Sequence, residues 1–331
     1  MMKNQPRIAN RANILLFVLA GVTICSLAFG WLCLRTTDKA FYENTDKQLH
    51  NLTDIETVKI NNRLKSVEQY VNTLNIAISG MLDSIGQLTD PKQLEELTER
   101  SRELIRLTIG NTEKVVAAYL RFNPKLTPPT SGIFMAKTAN DRELRFTEPT
   151  DFSKYNPDDI EHVGWYYIPI KTNKPIWMQP YQNKNIGIYM ISYIIPIYKF
   201  EKAIGVVGVD IDFDYLTHEI ASLHFFNNDY AYLADESDKV LFHPSIPKGE
   251  QVKLSDSTLL IQNKLTNGMK LSFAIPKQSI AADRDKLVQN LSIITFLILV
   301  VITIVTLIFA SSLSKILKSF SAENELLKIR D

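Results

Sequence analysis

Cysteine is almost absent from this chain of 331 residues, and its two representatives, Cys25 and Cys33, lie in one apolar stretch near the N-terminus. Residues 35–286 have none, so no disulfide ties them together and packing alone must hold them. Charge of one sign is lacking as well: 37 Lys and Arg face 36 Asp and Glu, a balance that points to neither nucleic acid nor a strongly acidic partner. There is no Gly-rich loop followed by Lys-Ser or Lys-Thr, no nucleophile elbow and no paired-cysteine metal spacing. Histidine is scattered over His50, His162, His218, His224 and His243. His218-Glu219 opens like a zinc-protease motif, but Ser222 stands where the second histidine must be, and the helical face then lacks a ligand. Gly205 and Gly208 sit inside a strand pattern with no third glycine and no helix following, unlike a dinucleotide loop. Catalysis, metals and cofactors are left without a carrier. The expectation is a chain that is not an enzyme and uses no cofactor.

What is present begins with two uncharged apolar runs, residues 12–34 and 287–314, each exceeding the roughly 20 residues that cross a bilayer as a helix. Arg11 and Arg35 close the first, Lys286 and Lys315 the second. Basic residues near a span are retained in the cytoplasm, and Lys3, Arg7 and Arg11 precede the first run while Lys315 and Lys318 follow the second. Residues 1–11 and 315–331 are therefore expected in the cytoplasm and residues 35–286 outside, as a two-pass protein of the inner (plasma) membrane. A cleavable signal peptide is the alternative for the first run, with Ser26-Leu27-Ala28 as its cleavage site; the apolar stretch continues past that site to Leu34, as an uncleaved anchor requires.

Between the runs, Ile60, Leu64, Val67, Val71, Leu74, Ile78, Met81 and Ile85 follow at steps of four and three, the stripe of a helix with one apolar seam. The pattern reaches back through Leu49, Leu52 and Ile55, giving a helix over 36–86 of about 75 Å at ~1.5 Å per residue. Two uses of the seam are open: packing on the protein's own sheets, or pairing in a homodimer. Asp90-Pro91 reads as an N-cap and first-turn proline for a helix ending near Gly110. Short strands then follow at 115–122, 132–138 and 143–147, and longer ones at 186–198 and 203–212, with Pro196 marking an edge or bulge. After a short helix carrying Leu216, Ile220 and Leu223, the strand pattern restarts at 230–234, 239–243, 258–262 and 269–275. The fold class is α+β: one long helix, then two successive small antiparallel sheets.

The phrases Gly164-Trp165-Tyr166-Tyr167, Lys174-Pro175-Ile176-Trp177, Pro180-Tyr181-Gln182-Asn183, Ser192-Tyr193-Ile194-Ile195-Pro196 and Gly205-Val206-Val207-Gly208-Val209-Asp210-Ile211 come in an order that resembles the membrane-distal module of the double Cache sensor domain. Lys239-Val240-Leu241-Phe242-His243-Pro244 and the stretch from Asn267-Gly268 to Ile275-Pro276 are similar to phrases of its membrane-proximal module. This family serves bacterial chemoreceptors, histidine kinases and diguanylate cyclases. The resemblance implies two PAS-like modules, at about 87–224 and 225–280, after the long helix. It also implies a transmembrane receptor that senses a small extracellular molecule in the distal module. Residues 315–331 read as a helical stub, too short for an output domain, so the output is expected from a cytoplasmic signalling partner or a segment outside this chain. The alternative is a membrane-tethered binding protein that acts through a partner without signalling.

Trp165, Tyr166, Tyr167, Trp177 and Tyr181 form the densest aromatic group, whose ring faces suit a cationic or apolar ligand and whose polar tips fix its orientation. In the family this stretch lines the distal pocket. Amino-acid receptors of the family place an arginine two residues before the tryptophan and an aspartate two after the later tyrosine; here those positions hold Val163 and Asn183. A neutral amide hydrogen-bonds but cannot neutralise an ammonium, and valine offers nothing to a carboxylate. The expected ligand is thus a small molecule other than a standard amino acid, held by Trp165, Tyr166, Trp177, Tyr181, Asn183 and the carboxylate of Asp210. No catalytic or metal-binding residue is expected.

Overall fold

The computed structural model describes residues 5–110, 112, 114–138, 141–183 and 187–328. They fall into two compact units, one of residues 52–275 and one made of 1–51 with 276–331.

The unit of residues 52–275 begins within α1 (Gln5–Met81). Its seam is covered by the protein's own core. Ile60 and Leu64 pack with Phe213, Leu216 and Leu271, while Val67, Val71, Leu74 and Ile78 pack with Leu120, Ile195 and Val207. Leu52 and Ile55 stay half exposed. After α2 (Gly86–Thr89), Asp90 caps α3 (Pro91–Ile109), accepting a hydrogen bond from the Gln93 backbone N–H at 2.9 Å, and Pro91 fills the first turn where no N–H is needed.

The first sheet contains β1 (Val115–Phe122), β2 (Gly132–Thr138) and β3 (Asp141–Phe146). α4 (Ile160–Thr172) separates these from β4 (Ile176–Trp177), β5 (Tyr181–Asn183), β6 (Ile188–Lys199) and β7 (Lys202–Asp212). The strand order is β3-β2-β1-β7-β6-β4, with β5 also pairing to β6. β1 is buried along its whole length, as a central strand of Val, Ala and Leu should be. Pro196 of β6 pairs with Val206 on one side, whereas β4 reaches no further than Ile194 on the other, so the missing N–H interrupts no ladder. α5 (Phe213–Ala221) leads to the second sheet: β8 (Tyr230–Ala234), β9 (Val240–Phe242), β10 (Thr258–Lys264) and β11 (Lys270–Pro276), in the order β10-β11-β8-β9.

α4 was not expected from the sequence. Gly164 and Pro169 break its periodicity on paper, yet Asp159 caps its start, accepting from the His162 N–H, and Pro169 falls in its second half. Asn173 ends it in the left-handed region at φ 50°.

The other unit comprises the N-terminal part of α1 and α6 (Lys277–Lys328). Both helices are long and apolar enough to cross a membrane. Large apolar side chains stand exposed along them, including Ile24, Leu27, Phe29, Phe296 and Ile308. Arg284 of α6 pairs with Asp38 of α1 at 3.0 Å, and a Cβ placed on Gly30 would lie 3.1 Å from the Thr295 methyl, so a side chain there would crowd α6. Residues 1–4 and 329–331 of the two expected tails lie outside the described residues.

Candidate ligand-binding site

Alternation along β1 and β7 puts Tyr119 and Arg121 on the same face as Val206, Gly208 and Asp210, because Tyr119 pairs with Gly208, Arg121 with Val206 and Ala117 with Asp210. Glycine at 208 is required by this arrangement. A Cβ there would come 2.5 Å from the Tyr119 ring, which lies across the strand. Tyr119 and Val206 pack with Val163 and Tyr166 of α4 and with Phe152, the apolar layer that seats the helix on the sheet.

Between α4, the sheet and β5 is a cavity of about 220 Å³. Tyr119, Arg121 and Asp210 form its sheet side. Trp165, His162 and Glu161 come from α4, Tyr181, Gln182 and Asn183 from β5, and Phe152 and Tyr155 from the segment before α4. The ring faces are held edge-on to one another: Trp165 meets Tyr119 at 5.4 Å and 76°, and Phe152 at 5.6 Å and 66°. The Trp165 indole N–H donates to the His162 carbonyl oxygen at 3.0 Å, so the helix itself fixes this ring.

Asp210 is the chemical centre of the cavity. It is 1 % exposed, and among the described residues its Oδ1 has no hydrogen-bond partner, nor has the buried Tyr119 hydroxyl. Burial pushes the Asp210 carboxyl up to about 7, with the Ser192 and Tyr119 hydroxyls nearby opposing that rise. Tyr181 donates to or accepts from Ser192 Oγ at 2.9 Å, and burial raises its phenol far above the ordinary value, keeping it neutral. Buried carboxylates without a counter-charge are costly unless a positive charge or a hydrogen-bond donor meets them.

Trp165, Tyr181, Asn183 and Asp210, four of the six residues singled out from the sequence, come together on the cavity wall. Tyr166 and Trp177 lie elsewhere. Tyr166 follows Trp165 on a helix and so points about 100° away; it is 2 % exposed, with its ring 4.4 Å from Phe152. Trp177 pairs in register with Tyr193, which faces α1, and its indole donates to Glu68 at 2.8 Å. Val163 is fully buried in the layer beneath α4 and does not line the cavity. Tyr119 and Arg121 were not foreseen as lining residues, although an arginine closing the otherwise apolar run Val-Val-Ala-Ala-Tyr-Leu-Arg-Phe was a signal of a buried charge.

Residues 102–218 match the family model of the first PDC sensor domain of methyl-accepting chemotaxis protein-like proteins. The chain is 27 % identical over 134 residues to the methyl-accepting chemotaxis protein PscA of Pseudomonas syringae pv. tomato, a match covering 40 % of this chain and 18 % of that protein, so it spans less than a fifth of its relative's length. Among solved structures it is similar to the ligand-binding domain of the Campylobacter jejuni chemoreceptor Tlp3 in complex with 4-methylisoleucine, at 18 % identity and a TM-score of 0.51, covering 72 % of this chain and 94 % of that one. It is equally similar to the extracellular domain of mmHK1S-Z3, assigned as a histidine kinase, at 16 % identity and a TM-score of 0.51, covering 69 % and 93 %. The chain carries the double Cache sensor fold, and two of its helices are long and apolar enough to cross a membrane.

Proposed function

We propose that this double Cache receptor binds a small molecule bearing a protonated amine in the cavity of its first sheet module and relays the binding across the membrane. One observation carries the reading: a fully buried carboxyl group, Asp210, whose Oδ1 has no hydrogen-bond partner among the described residues, in a cavity walled by Trp165 and Tyr119. An ammonium there meets its counter-charge and adds ~0.5 to 2 kcal/mol per ring face it approaches. Tlp3 is solved in complex with 4-methylisoleucine, but where the resemblance implies an arginine for the carboxylate of an amino acid this chain has the buried Val163, so on this reading its ligand differs from a standard amino acid.

A relay is supported by the contact between the modules. Lys248, from the segment between β9 and β10, donates to the Pro180 carbonyl oxygen at 3.0 Å and to the Tyr189 hydroxyl. Pro180 directly precedes the cavity residue Tyr181, so a ligand that shifts β5 pulls on the second sheet, whose last strand continues into α6. Coupling of ~1 to 3 kcal/mol is enough to shift a two-state receptor several-fold. On this reading the chain is a homodimer of the inner membrane with both ends cytoplasmic, acts without catalysis or cofactor, and delivers its signal to a cytoplasmic output.

The test is a thermal-shift screen of the full chain in lipid nanodiscs against alkylamines, carboxylates, purines and sugars. The expected result is stabilisation by amines that is lost in Trp165→Ala. Stabilisation by carboxylates or sugars alone contradicts the amine reading; stabilisation by none of the classes favours a tether that holds a protein partner.

A further inference from the structure

Trp177, expected from the sequence among the ligand residues, has another use. It stands in the strap 176–183, where β4 and β5 form an edge of the first sheet and pair with β6. From the pair Trp177–Tyr193 to the pair Tyr181–Met190, four residues of the strap run against three of β6. The extra residue is a bulge that reverses the facing of the strap, so Trp177 turns toward α1 and Tyr181 toward the cavity.

At the α1 end the contact is polar. Glu68 lies on the helix face of the apolar seam, four residues after Leu64 and three before Val71, and its carboxylate accepts the Trp177 indole N–H at 2.8 Å. A carboxylate on a packed seam is costly unless a donor meets it, and the indole is that donor. The indole ring is 5.0 Å from the Tyr193 ring, whose phenol is pushed up to about 12 by burial and by the Glu68 charge and so stays neutral. The same indole packs against both large cores, the one under the first sheet and the one that joins Ile60 and Leu64 to the second sheet. At the cavity end Tyr181 shares a hydrogen bond with Ser192 at 2.9 Å, and Tyr181, Gln182 and Asn183 are wall residues. Short edge strands are among the least restrained parts of a sheet, which leaves these side-chain ties to decide where the strap sits.

We infer that Trp177 is the coupling residue between the cavity and the long helix: a ligand that moves β5 moves the indole, and with it the Glu68 tie and the packing of α1. The inference rests on the cavity being the ligand site. It adds to the Lys248 contact a second route, along α1 instead of through the second sheet.

The test is backbone hydrogen exchange of the full chain in nanodiscs, read over residues 60–78 of α1, with α3 as the reference because it packs on the same core. A ligand's general stabilisation slows both helices alike. Saturating n-butylamine should slow residues 60–78 by about fivefold more than α3, the lower end of ordinary coupling between two sites. That excess should vanish in Trp177→Phe, which keeps a ring but loses the donor, and in Glu68→Leu, which loses the acceptor, while n-butylamine affinity stays within about threefold. Glu68→Gln keeps an acceptor and should keep part of the excess, and Lys248→Met should leave it intact. Equal slowing of the two helices in the wild-type chain overturns the inference, as does an excess that survives Trp177→Phe or Glu68→Leu, or one that is lost in Lys248→Met. Should n-butylamine not bind, the amine reading fails separately, and Tyr181→Phe, which drops the bond to Ser192, takes the ligand's place as the disturbance at the cavity end. Exchange over 60–78 should then change about fivefold more than over α3, and should no longer do so once Trp177→Phe is added. An unchanged α1, or a change that persists with Trp177→Phe, overturns the coupling.

Discussion

Amine binding should weaken about tenfold for each pH unit below about 7 and level off above it, because a cation can use Asp210 only after the proton has left. Burial holds this carboxyl far above its ordinary value of 3.8, so between the two values the folded protein carries a proton that the unfolded chain has already released. Two consequences have opposite signs. Without ligand, Asp210 makes the protein less stable as pH rises from about 3.8 to about 7, since folding then keeps a buried group against its preference to ionise. With an amine bound, the charge gains a partner, and stabilisation by the ligand grows over the same interval. The groups facing Asp210, the Tyr119 and Tyr181 phenols, have raised values and stay neutral throughout. Asp210→Asn should abolish the slope and cost about 2 to 5 kcal/mol of affinity at the alkaline end, as losing one partner of a buried charge pair does. His162→Gln, altering the histidine of the cavity wall, should leave the slope in place. Titrations of n-butylamine across this pH range check all three.

The second large effect belongs to α1. Leu74 is completely buried in the core of the first sheet, whereas Ile76, two residues on, is 72 % exposed. Leu74→Ala should cost about 2 to 5 kcal/mol through lost burial and the cavity left behind, and lower the melting temperature by roughly 2 to 4 °C for each kcal/mol in a domain of this size. Ile76→Ala should change stability by less than about 0.5 kcal/mol. Thermal melts of the two variants, run at several protein concentrations, separate a seam buried within one chain from a seam buried between two. A concentration-dependent loss for Leu74→Ala would assign the seam to the dimer.

Much of this architecture was legible because the chain writes its elements in plain periodicities. The steps of four and three from Ile60 to Ile78 made a helix, and the same residues are the ones buried against the sheets. Asp90-Pro91 marked a helix start because a cap and a fixed φ leave few other readings. The largely apolar runs at β1 and β7 were strands, with β1 buried throughout and β7 buried over its middle. α4 was hidden for a physical reason: Gly164 and Pro169 lower helix propensity, and the helix forms because Val163 and Tyr166 bury on the sheet. The cavity was half legible. Trp165, Tyr181, Asn183 and Asp210 were reached by motif order, but motif order carries no information about facing, which is why Tyr166 and Trp177 were grouped with them. Arg121 came from a strand outside the motif, and only the pairing of β1 with β7 brings it beside Asp210's face of the sheet.

The central claim concerns one carboxyl group, and infrared difference spectroscopy observes it directly. With the full chain in nanodiscs held just below pH 7, saturating n-butylamine should remove the stretching band of a protonated carboxylic acid and produce a carboxylate band, and Asp210→Asn should lack both features. A saturated protein whose carboxyl bands do not change, or an unchanged difference spectrum in Asp210→Asn, would contradict an ammonium seated on Asp210.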